Sequence, residues 1–474
     1  MTTSRPAAST AASTAASTAP ATSSPRPAPV RYAYVGTGGR VRMYLDPVAS
    51  RFQTDAAIVA LCDSSVVRAT YHRDRLQAKF GHAAVPVYPA ADFGRMLRET
   101  RPDTVVVCTV DSEHHRYIVE ALQAGCDVVT EKPMTTDAAK CQQIMDAVKA
   151  TGRHVRVAFN YRWNPGATKV RELIASATIG PVRHVTLEYL LNTSHGADYF
   201  RRWHAHKRFS GGLLVHKSTH HFDLVNWWID AIPSEVVAHG GLMFYGRANA
   251  ERRGDQALAA YPRYYRQARR DDPFAYTYEH SMIQDPAMEH SLYLGAAEQE
   301  SGYVRDRNVF RDDIDIEDTM NVLVRYRTGA LLNYSLNAFS PYEGYRVAFT
   351  GDRGRLEYRE FHAAHLFDAD GTSSTKRPDE VHELRVFPHF KASYPVPVPT
   401  IQGDHGGSDP LLQEQIFSAR PPTDALGRSA GHEQGAASIL VGVAANASIA
   451  SGAPVALDSL VALKPSARHL SELV

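Results

Sequence analysis

Four residues, Gly36-Thr37-Gly38-Gly39, do most to limit what this chain can fold into, because of what stands on either side of them. An apolar strand, Tyr32 to Val35, runs into the turn, a helical stretch leaves it, and a second apolar strand, Ile58 to Cys62, ends in Asp63. Strand, glycine turn, helix and strand make one βαβ unit. Missing side chains at such a turn let backbone N–H groups reach a diphosphate at the helix N-terminus, and a carboxylate closing the next strand can accept from both ribose hydroxyls. The combination predicts a dinucleotide site in which Gly36, Thr37, Gly38, Gly39 and Arg40 surround the phosphates and Asp63 favours NAD over NADP. The alternative is a tight turn with no ligand. Val41 stands where a small third residue is usual, which predicts looser helix-to-strand packing without blocking the phosphate.

The alternation continues. Helices are expected at Arg68 to Phe80, Asp92 to Glu99, Glu113 to Ala124 and Thr136 to Ala150, separated by apolar strands at Thr104 to Cys108, Asp127 to Thr130 and His154 to Phe159. Uninterrupted apolar strands between amphipathic helices indicate a parallel sheet covered on both faces, so residues 31–160 are expected to form a doubly wound Rossmann domain. From Pro181 the texture changes to alternating strands at Val182 to Leu190, Thr319 to Tyr326, Ala330 to Ala338 and Tyr345 to Thr350. Residues 161–474 therefore read as a second, α+β domain with a large, mainly antiparallel open sheet. The polar, Arg- and Tyr-rich stretch at about 247–312 is expected to be an insertion serving as a lid or an oligomer contact. A helix around Ala436 to Ser451 packs back on the body.

Composition excludes several function classes. Lys and Arg total 52 against 51 Asp and Glu, so no global field draws the chain to nucleic acid or an anionic membrane. Residues 1–30, with the run TAASTAASTAP, have the composition of a disordered tail and lack the charged start and apolar run of a signal. No later stretch reaches the roughly 18 apolar residues of a membrane span. The four cysteines, Cys62, Cys108, Cys126 and Cys141, match neither a zinc site nor a disulfide framework and read as reduced thiols, so a soluble, cytoplasmic protein is expected.

A second motif, Thr130-Glu131-Lys132-Pro133, ends a strand at the crevice where ligands of such sheets bind. Together with Thr109-Val110-Asp111-Ser112-Glu113-His114 and Asn160-Tyr161-Arg162-Trp163 it resembles the Gfo/Idh/MocA family of oxidoreductases, over roughly residues 31 to 240 and more weakly beyond. The resemblance implies Lys132 as a catalytic residue that touches the nicotinamide ribose and the substrate hydroxyl. It also implies Thr109, Asp111, His114, Glu131 and Arg162 as cofactor neighbours, with Tyr161 on the substrate side. The bland alternative is a strand-end Lys132 in a solvated ion pair with Glu131.

A third segment, Gly211-Gly212-Leu213-Leu214-Val215-His216-Lys217-Ser218-Thr219-His220-His221-Phe222-Asp223, resembles the family's substrate-side segment, with departures. His216 stands where many sugar and inositol dehydrogenases carry Asp, and Ser218 replaces a glycine, while His220 keeps the usual histidine. An imidazole can take a proton from an alcohol as the hydride leaves, so His220 pairs with Lys132 as acid and base, and His216 joins them as a catalytic candidate. His216 and His220 stand four apart, a spacing that also suits metal ligands, but no third ligand is identifiable and no metal is expected. His221 and Asp223 face the core or cap the helix.

Around this segment Arg162, Arg201, Arg202, His204, Lys207, Arg208 and Lys217 make a local positive excess that suits an anionic carbohydrate or is a solvated basic face. Arg202, Trp203 and Lys217 are the substrate-binding candidates, Trp203 as a platform for a sugar ring. Ile316-Glu317-Asp318-Thr319 and Tyr342-Glu343-Gly344-Tyr345 put polar residues at strand ends that can line a sugar pocket or simply make turns.

The resulting expectation is an NAD-dependent oxidoreductase acting on a secondary hydroxyl of a sugar, polyol or glycoside, with an anionic substrate. The alternatives are a redox-neutral, NAD-dependent glycoside hydrolase that oxidises, eliminates, adds water and reduces, and a non-catalytic NAD-binding sensor. By resemblance the chain is a homodimer or homotetramer with a small-molecule carbohydrate substrate and no nucleic-acid or membrane partner.

Overall fold

The computed structural model describes residues 28–267, 272–276, 285–364, 381–399 and 404–473. The expected tail at 1–30 therefore lies outside the described residues for all but its last three. Six parallel strands follow: β1 (Val30–Val35), β2 (Ala56–Asp63), β3 (Val87–Pro89), β4 (Thr104–Val107), β5 (Asp127–Thr130) and β6 (Val155–Val157). Their order is β3-β2-β1-β4-β5-β6, with the pair Ala430–Gly431 added antiparallel at the β6 edge. This is the doubly wound Rossmann order, and it reverses between β1 and β4, where a crevice opens at the carboxyl ends of the strands. Thr104–Val107 is buried at every position, as a strand covered on both faces must be. Ser65 caps the helix Val66–Phe80 by accepting from the Arg68 N–H, and Asp137 caps Ala138–Thr151 in the same way.

Gly36 is the tightest point of this domain. Its φ is +85°, and a Cβ there would lie 2.5 Å from the Cys108 carbonyl and the Thr109 nitrogen. Only glycine lets β1 leave the sheet so close to the end of β4. Val41 is fully buried beside it, so the larger third residue is absorbed into the core.

The second sheet has seven longer strands: β7 (Val182–Asn192), β8 (Pro233–Gly241), β9 (Thr319–Tyr326), β10 (Leu331–Ser340), β11 (Tyr342–Gly351), β12 (Gly354–Ala364) and β13 (Val381–Pro388). They run in the order β13-β12-β11-β7-β10-β9-β8, with Tyr394–Pro395 and Val455–Ala456 at the two edges. All neighbours are antiparallel except β7 and β10, which pair parallel because helices and the long insertion carry the chain over between them. Along β9 and β10, Met320, Val322, Val324, Leu332, Tyr334 and Leu336 point into the core, while Asn321, Leu323, Leu331 and Asn333 are exposed.

Sequence periodicity passes over β3, which has only three residues, and over β12, whose inward positions include Glu360. It also passes over the helix Ser218–Trp228, because all eleven of its residues are buried and no polar stripe marks its period. Within that helix His221 stacks on Tyr189 and shares a 2.8 Å hydrogen bond with the Tyr334 hydroxyl.

The expectation that no stretch is apolar enough to cross a membrane needs correction. The helix His432–Ser451 is long and apolar enough by composition, and 67% of its apolar window is buried inside the protein. It packs against β8, the helix Ser218–Trp228 and the short helix Leu213–His216, so close to the last that a Cβ on Gly442 would sit 2.2 Å from the Leu214 carbonyl oxygen.

Arg162, expected beside the cofactor, is instead fully buried away from the cleft. Its Nε and Nη2 donate to the two Asp223 oxygens at 2.8 and 2.6 Å, and Nη1 donates to Gln434 Oε1 and the Gly427 carbonyl. A guanidinium with four of its five donors on a carboxylate, an amide and a carbonyl ties three chain segments together, and its burial turns it away from the cleft. Breaking such a pair strands a buried charge, so Asp223→Ala is expected to lower the unfolding free energy by about 3–5 kcal/mol. Urea denaturation checks this, and a loss below about 1 kcal/mol would mean that Arg162 finds another partner.

Candidate active site

The carboxyl ends of the Rossmann strands and the inner face of the second sheet enclose a cleft of about 1260 Å³. Gly36, Gly38, Gly39, Arg40, Asp63, Thr109, Asp111, His114, Glu131 and Lys132 line it from the first domain. Tyr161, Arg202, Trp203, His216, Lys217 and His220 line it from the second. Of the catalytic, cofactor-binding and substrate-binding candidates, Thr37 and Arg162 are missing from this wall, and of the basic and strand-end residues Arg201, Lys207, Glu317 and Asp318 are missing as well.

Thr37 is fully buried and acts on Asp63 instead, donating to Oδ2 from its backbone N–H at 2.5 Å and from its hydroxyl at 3.0 Å. The Ser65 N–H holds the other oxygen at 2.8 Å. The carboxylate is thus fixed at the cleft edge by donors behind it, ready to accept from the cleft side. Gly36, where a Cβ would collide with backbone, and the N–H groups of the following turn fit a dinucleotide diphosphate.

Glu131 is not the partner of the Lys132 ammonium. Arg40 Nε donates to Glu131 Oε1 at 2.5 Å and the Tyr44 hydroxyl donates to the same oxygen at 2.8 Å, so this carboxylate anchors the glycine-loop helix. His114 is a clamp as well, its ring nitrogens lying 2.8 and 3.2 Å from the carbonyls of Pro133 and Thr109.

The groups that can move protons gather deeper in. Lys132 Nζ reaches the His216 carbonyl at 3.4 Å, and His216 Nδ1 lies 2.5 Å from Asp111 Oδ2. Burial pushes the Lys132 ammonium down to about 8, partly countered by the Asp111 and Glu131 carboxylates. Burial also raises the Asp111 carboxyl and lowers the His216 imidazole, the latter helped by Lys132, Arg202 and Lys217. His220 stacks on the Tyr161 ring at 4.1 Å. Because the short helix Leu213–His216 ends before Ser218–Trp228 begins, the two histidines reach different partners despite their spacing.

The far wall comes from the second sheet. Lys217 donates to the Tyr161 hydroxyl at 3.2 Å and lies over the Tyr189 ring at 4.9 Å. Glu343 faces His195 Nδ1 at 2.9 Å, and Tyr199 bonds the other ring nitrogen of His195 at 3.0 Å. Burial works against ionising Glu343, but His195, Lys217 and His362 overcome it and hold its carboxyl down at about 2. Glu360 binds His362 at 2.7 Å and the hydroxyls of Tyr345 and Tyr358 at 2.7 and 2.8 Å. Trp203 has one face against His204, with centroids 3.6 Å apart. His195, Glu360 and His362 escape sequence reading. The available signal is the period-two series Tyr358, Glu360, His362 on β12, which looks like an ordinary polar face until the fold turns it inward.

A Rossmann sheet with a glycine loop, a strand-end carboxylate and a half-buried lysine facing a second open sheet defines a nicotinamide-dependent oxidoreductase. The chain belongs to the Gfo/Idh/MocA oxidoreductase family: residues 30–159 match its NAD-binding Rossmann fold and residues 171–457 its C-terminal alpha/beta domain. The Bacillus subtilis (strain 168) protein YteT is 37% identical over 426 residues, 88% of this chain and 95% of that protein. The D-glucoside 3-dehydrogenase of Escherichia coli (strain K12) is 28% identical over 166 residues, 34% of this chain and 44% of its own. Glycosyl hydrolase family 109 protein 1 of Akkermansia muciniphila is 25% identical over 194 residues, 39% of this chain and 40% of its own. The structure of aldose-aldose oxidoreductase from Caulobacter crescentus, complexed with glycerol, has a TM-score of 0.57 over 90% of this chain and 99% of that one. At 18% identity it is a likeness of fold.

The lowered Lys132 has a measurable consequence. Below about pH 8 the ammonium is charged in both folded and unfolded chains and carries its burial penalty, whereas between about 8 and 10.5 only the unfolded chain binds the proton. Stability contributed by this group therefore rises with pH through that window. Lys132→Met is expected to melt higher than the wild type at pH 7 and to lose that advantage toward pH 10.5, as read by calorimetry.

Proposed function

We propose that this protein oxidises a secondary hydroxyl of a sugar, polyol or glycoside, using NAD held over the glycine loop. The observation that carries this reading is the meeting of Lys132 and the Asp111–His216 pair in the cleft that the glycine loop opens. A bound nicotinamide supplies the hydride acceptor. Lys132, with its ammonium pushed down to about 8, has a free-amine form within reach of neutrality, a minority below pH 8 and the major form above it, and that amine takes the hydroxyl proton. Asp111 fixes His216 through Nδ1, which leaves Nε2 for the substrate. His220 is the second proton-handling candidate, oriented by its stack on Tyr161.

Glu343, Lys217 and Tyr161 supply acceptors and donors for the remaining hydroxyls, with Arg202 and Trp203 beside them. Asp63 supports NAD over NADP, because a fixed carboxylate repels a 2′-phosphate. Support for an anionic substituent is confined to the rim. There Arg307 and Arg311 share the single carboxylate of Asp313, and exposed Arg208 stands nearby, leaving positive charge in excess. Self-association is proposed on the outer face of the nine-stranded sheet, where Leu323 and Leu331 are exposed.

Redox-neutral glycoside hydrolysis is the second reading. The Asp111–His216 pair beside Lys132 favours it, since elimination and water addition need an acid and a base beyond the one that oxidation uses. A sensor without catalysis has no use for either group.

Purified protein, with and without added NAD, is to be offered free sugars and neutral and anionic chromogenic glycosides. NADH accumulation without aglycone release is the expected result, and aglycone release without net NADH selects the second reading. Lys132→Met is expected to lower either rate by about 10²–10⁴-fold. A variant within twofold of the wild type would remove Lys132 from the chemistry.

A further inference from the structure

The insertion between β8 and β9 reaches back over the Rossmann domain. Its helices Pro286–Tyr293 and Ala296–Ser301 pack on the helix Val66–Phe80, next to the strand end that carries Asp63. The Tyr293 hydroxyl accepts from the Gly39 N–H at 2.7 Å, and a Cβ on Gly38 would come within 3.0 Å of the same oxygen. A phenol oxygen thus sits on the backbone donors that face an incoming diphosphate. Beside Asp63, Glu300 Oε2 accepts from the Ser65 hydroxyl at 2.7 Å and from the Val67 N–H at 3.1 Å. Arg68 donates to the Leu292 carbonyl and to the Ser301 hydroxyl, each at 2.8 Å, while its Nη1 lies 3.5 Å from Asp63 Oδ1.

A second, independent observation points to an anion. Arg305 lines the cleft with 3% of its surface exposed. Its Nε donates to Glu289, and the guanidinium lies 4.6 Å from the centre of the Tyr293 ring. Its Nη1 is buried and has no hydrogen-bond partner among the described residues. A buried guanidinium nitrogen left unpaired next to a phosphate-binding loop calls for an oxygen acceptor, and a dinucleotide diphosphate supplies one.

We propose that residues 289–305 form a clasp over the dinucleotide, in which Tyr293 and Arg305 bind the diphosphate and Glu300 and Arg68 latch the segment beside Asp63. The Tyr293 hydroxyl then donates to a phosphate oxygen, and Arg305 Nη1 gains its missing acceptor. The cofactor can leave only when these contacts open together, so it stays bound through successive turnovers. This rests on the reading that the cleft takes NAD, and it assigns that NAD as a retained rather than a freely exchanging cofactor.

The test uses the full-length protein loaded with NAD. Nucleotide retained after gel filtration is measured by mass, and the off-rate is measured by chase with excess thio-NAD. The wild type is expected to keep NAD through the column. Tyr293→Phe and Glu300→Gln are expected to release it at least tenfold and several-fold faster, respectively, with unchanged melting of the NAD-free proteins. An off-rate unchanged in both variants overturns the clasp. Faster and tighter NAD binding by Tyr293→Phe also overturns it, and makes the segment a plug that competes with the cofactor. Failure of the wild type to bind NAD at all overturns the cofactor reading itself, which separates that failure from failure of the clasp.

Discussion

A guanidinium that solvent does not reach stands where the first domain hands over to the second. Arg162 is held by both oxygens of Asp223, by Gln434 and by the Gly427 carbonyl, so the Asn160–Trp163 turn, the helix Ser218–Trp228 and the helix His432–Ser451 meet at one charge. Taking that charge out of water is costly, and only a full set of charge-assisted acceptors offsets it. The consequence for the site is positional. Tyr161 and Trp163 flank this anchor, while His220 and Asp223 lie one helical turn apart on the same buried helix. Fixing Asp223 therefore fixes where His220 and its Tyr161 stack enter the cleft.

Within the cleft, burial and charge are set against each other. Lys132, Asp111 and His216 are each moved toward the uncharged form, because a low-dielectric wall penalises ions of either sign. Glu343 and Glu360, across the same cleft, go the other way and are held near 2 by histidines and, for Glu343, by Lys217. One wall thus offers groups held toward their neutral forms, and the other offers fixed carboxylates suited to hydroxyl groups. That division of labour suits a hydroxyl-rich molecule reacting at one carbon while its remaining hydroxyls are held still.

The insertion adds a third wall to this two-domain arrangement. It touches the glycine loop through Tyr293 and the neighbourhood of Asp63 through Glu300 and Arg68. Its arginines are in part consumed internally, Arg263 by Glu298 and Asp306 and the Nε of Arg305 by Glu289, which leaves the Arg305 Nη1 over. What read in the sequence as an Arg- and Tyr-rich surface is in part a self-neutralised layer, because each guanidinium near the cleft must find a carboxylate before it can be buried.

The Rossmann half was legible in the residues themselves. Its signals are local: apolar runs such as Thr104 to Val107, the helical stretches between them, and a glycine at Gly36 whose conformation no other residue adopts cheaply. The residues around Lys132 also followed from local motif, as did the mainly antiparallel character of the second sheet. What the sequence could not decide was which side chains spend their hydrogen bonds on each other. Arg162 and Glu131 sit in site motifs, but packing delivers Arg162 to Asp223 outside the cleft, while Glu131 stays in the cleft wall with its carboxylate on Arg40 and Tyr44. His195, Glu360, Tyr293 and Arg305 come to the cleft from segments far apart in the chain, and nothing in their neighbours announces it. Periodicity and capping act over a few residues and can be read along the chain, whereas the pairing of buried polar groups is settled only when distant segments pack and each donor must find an acceptor.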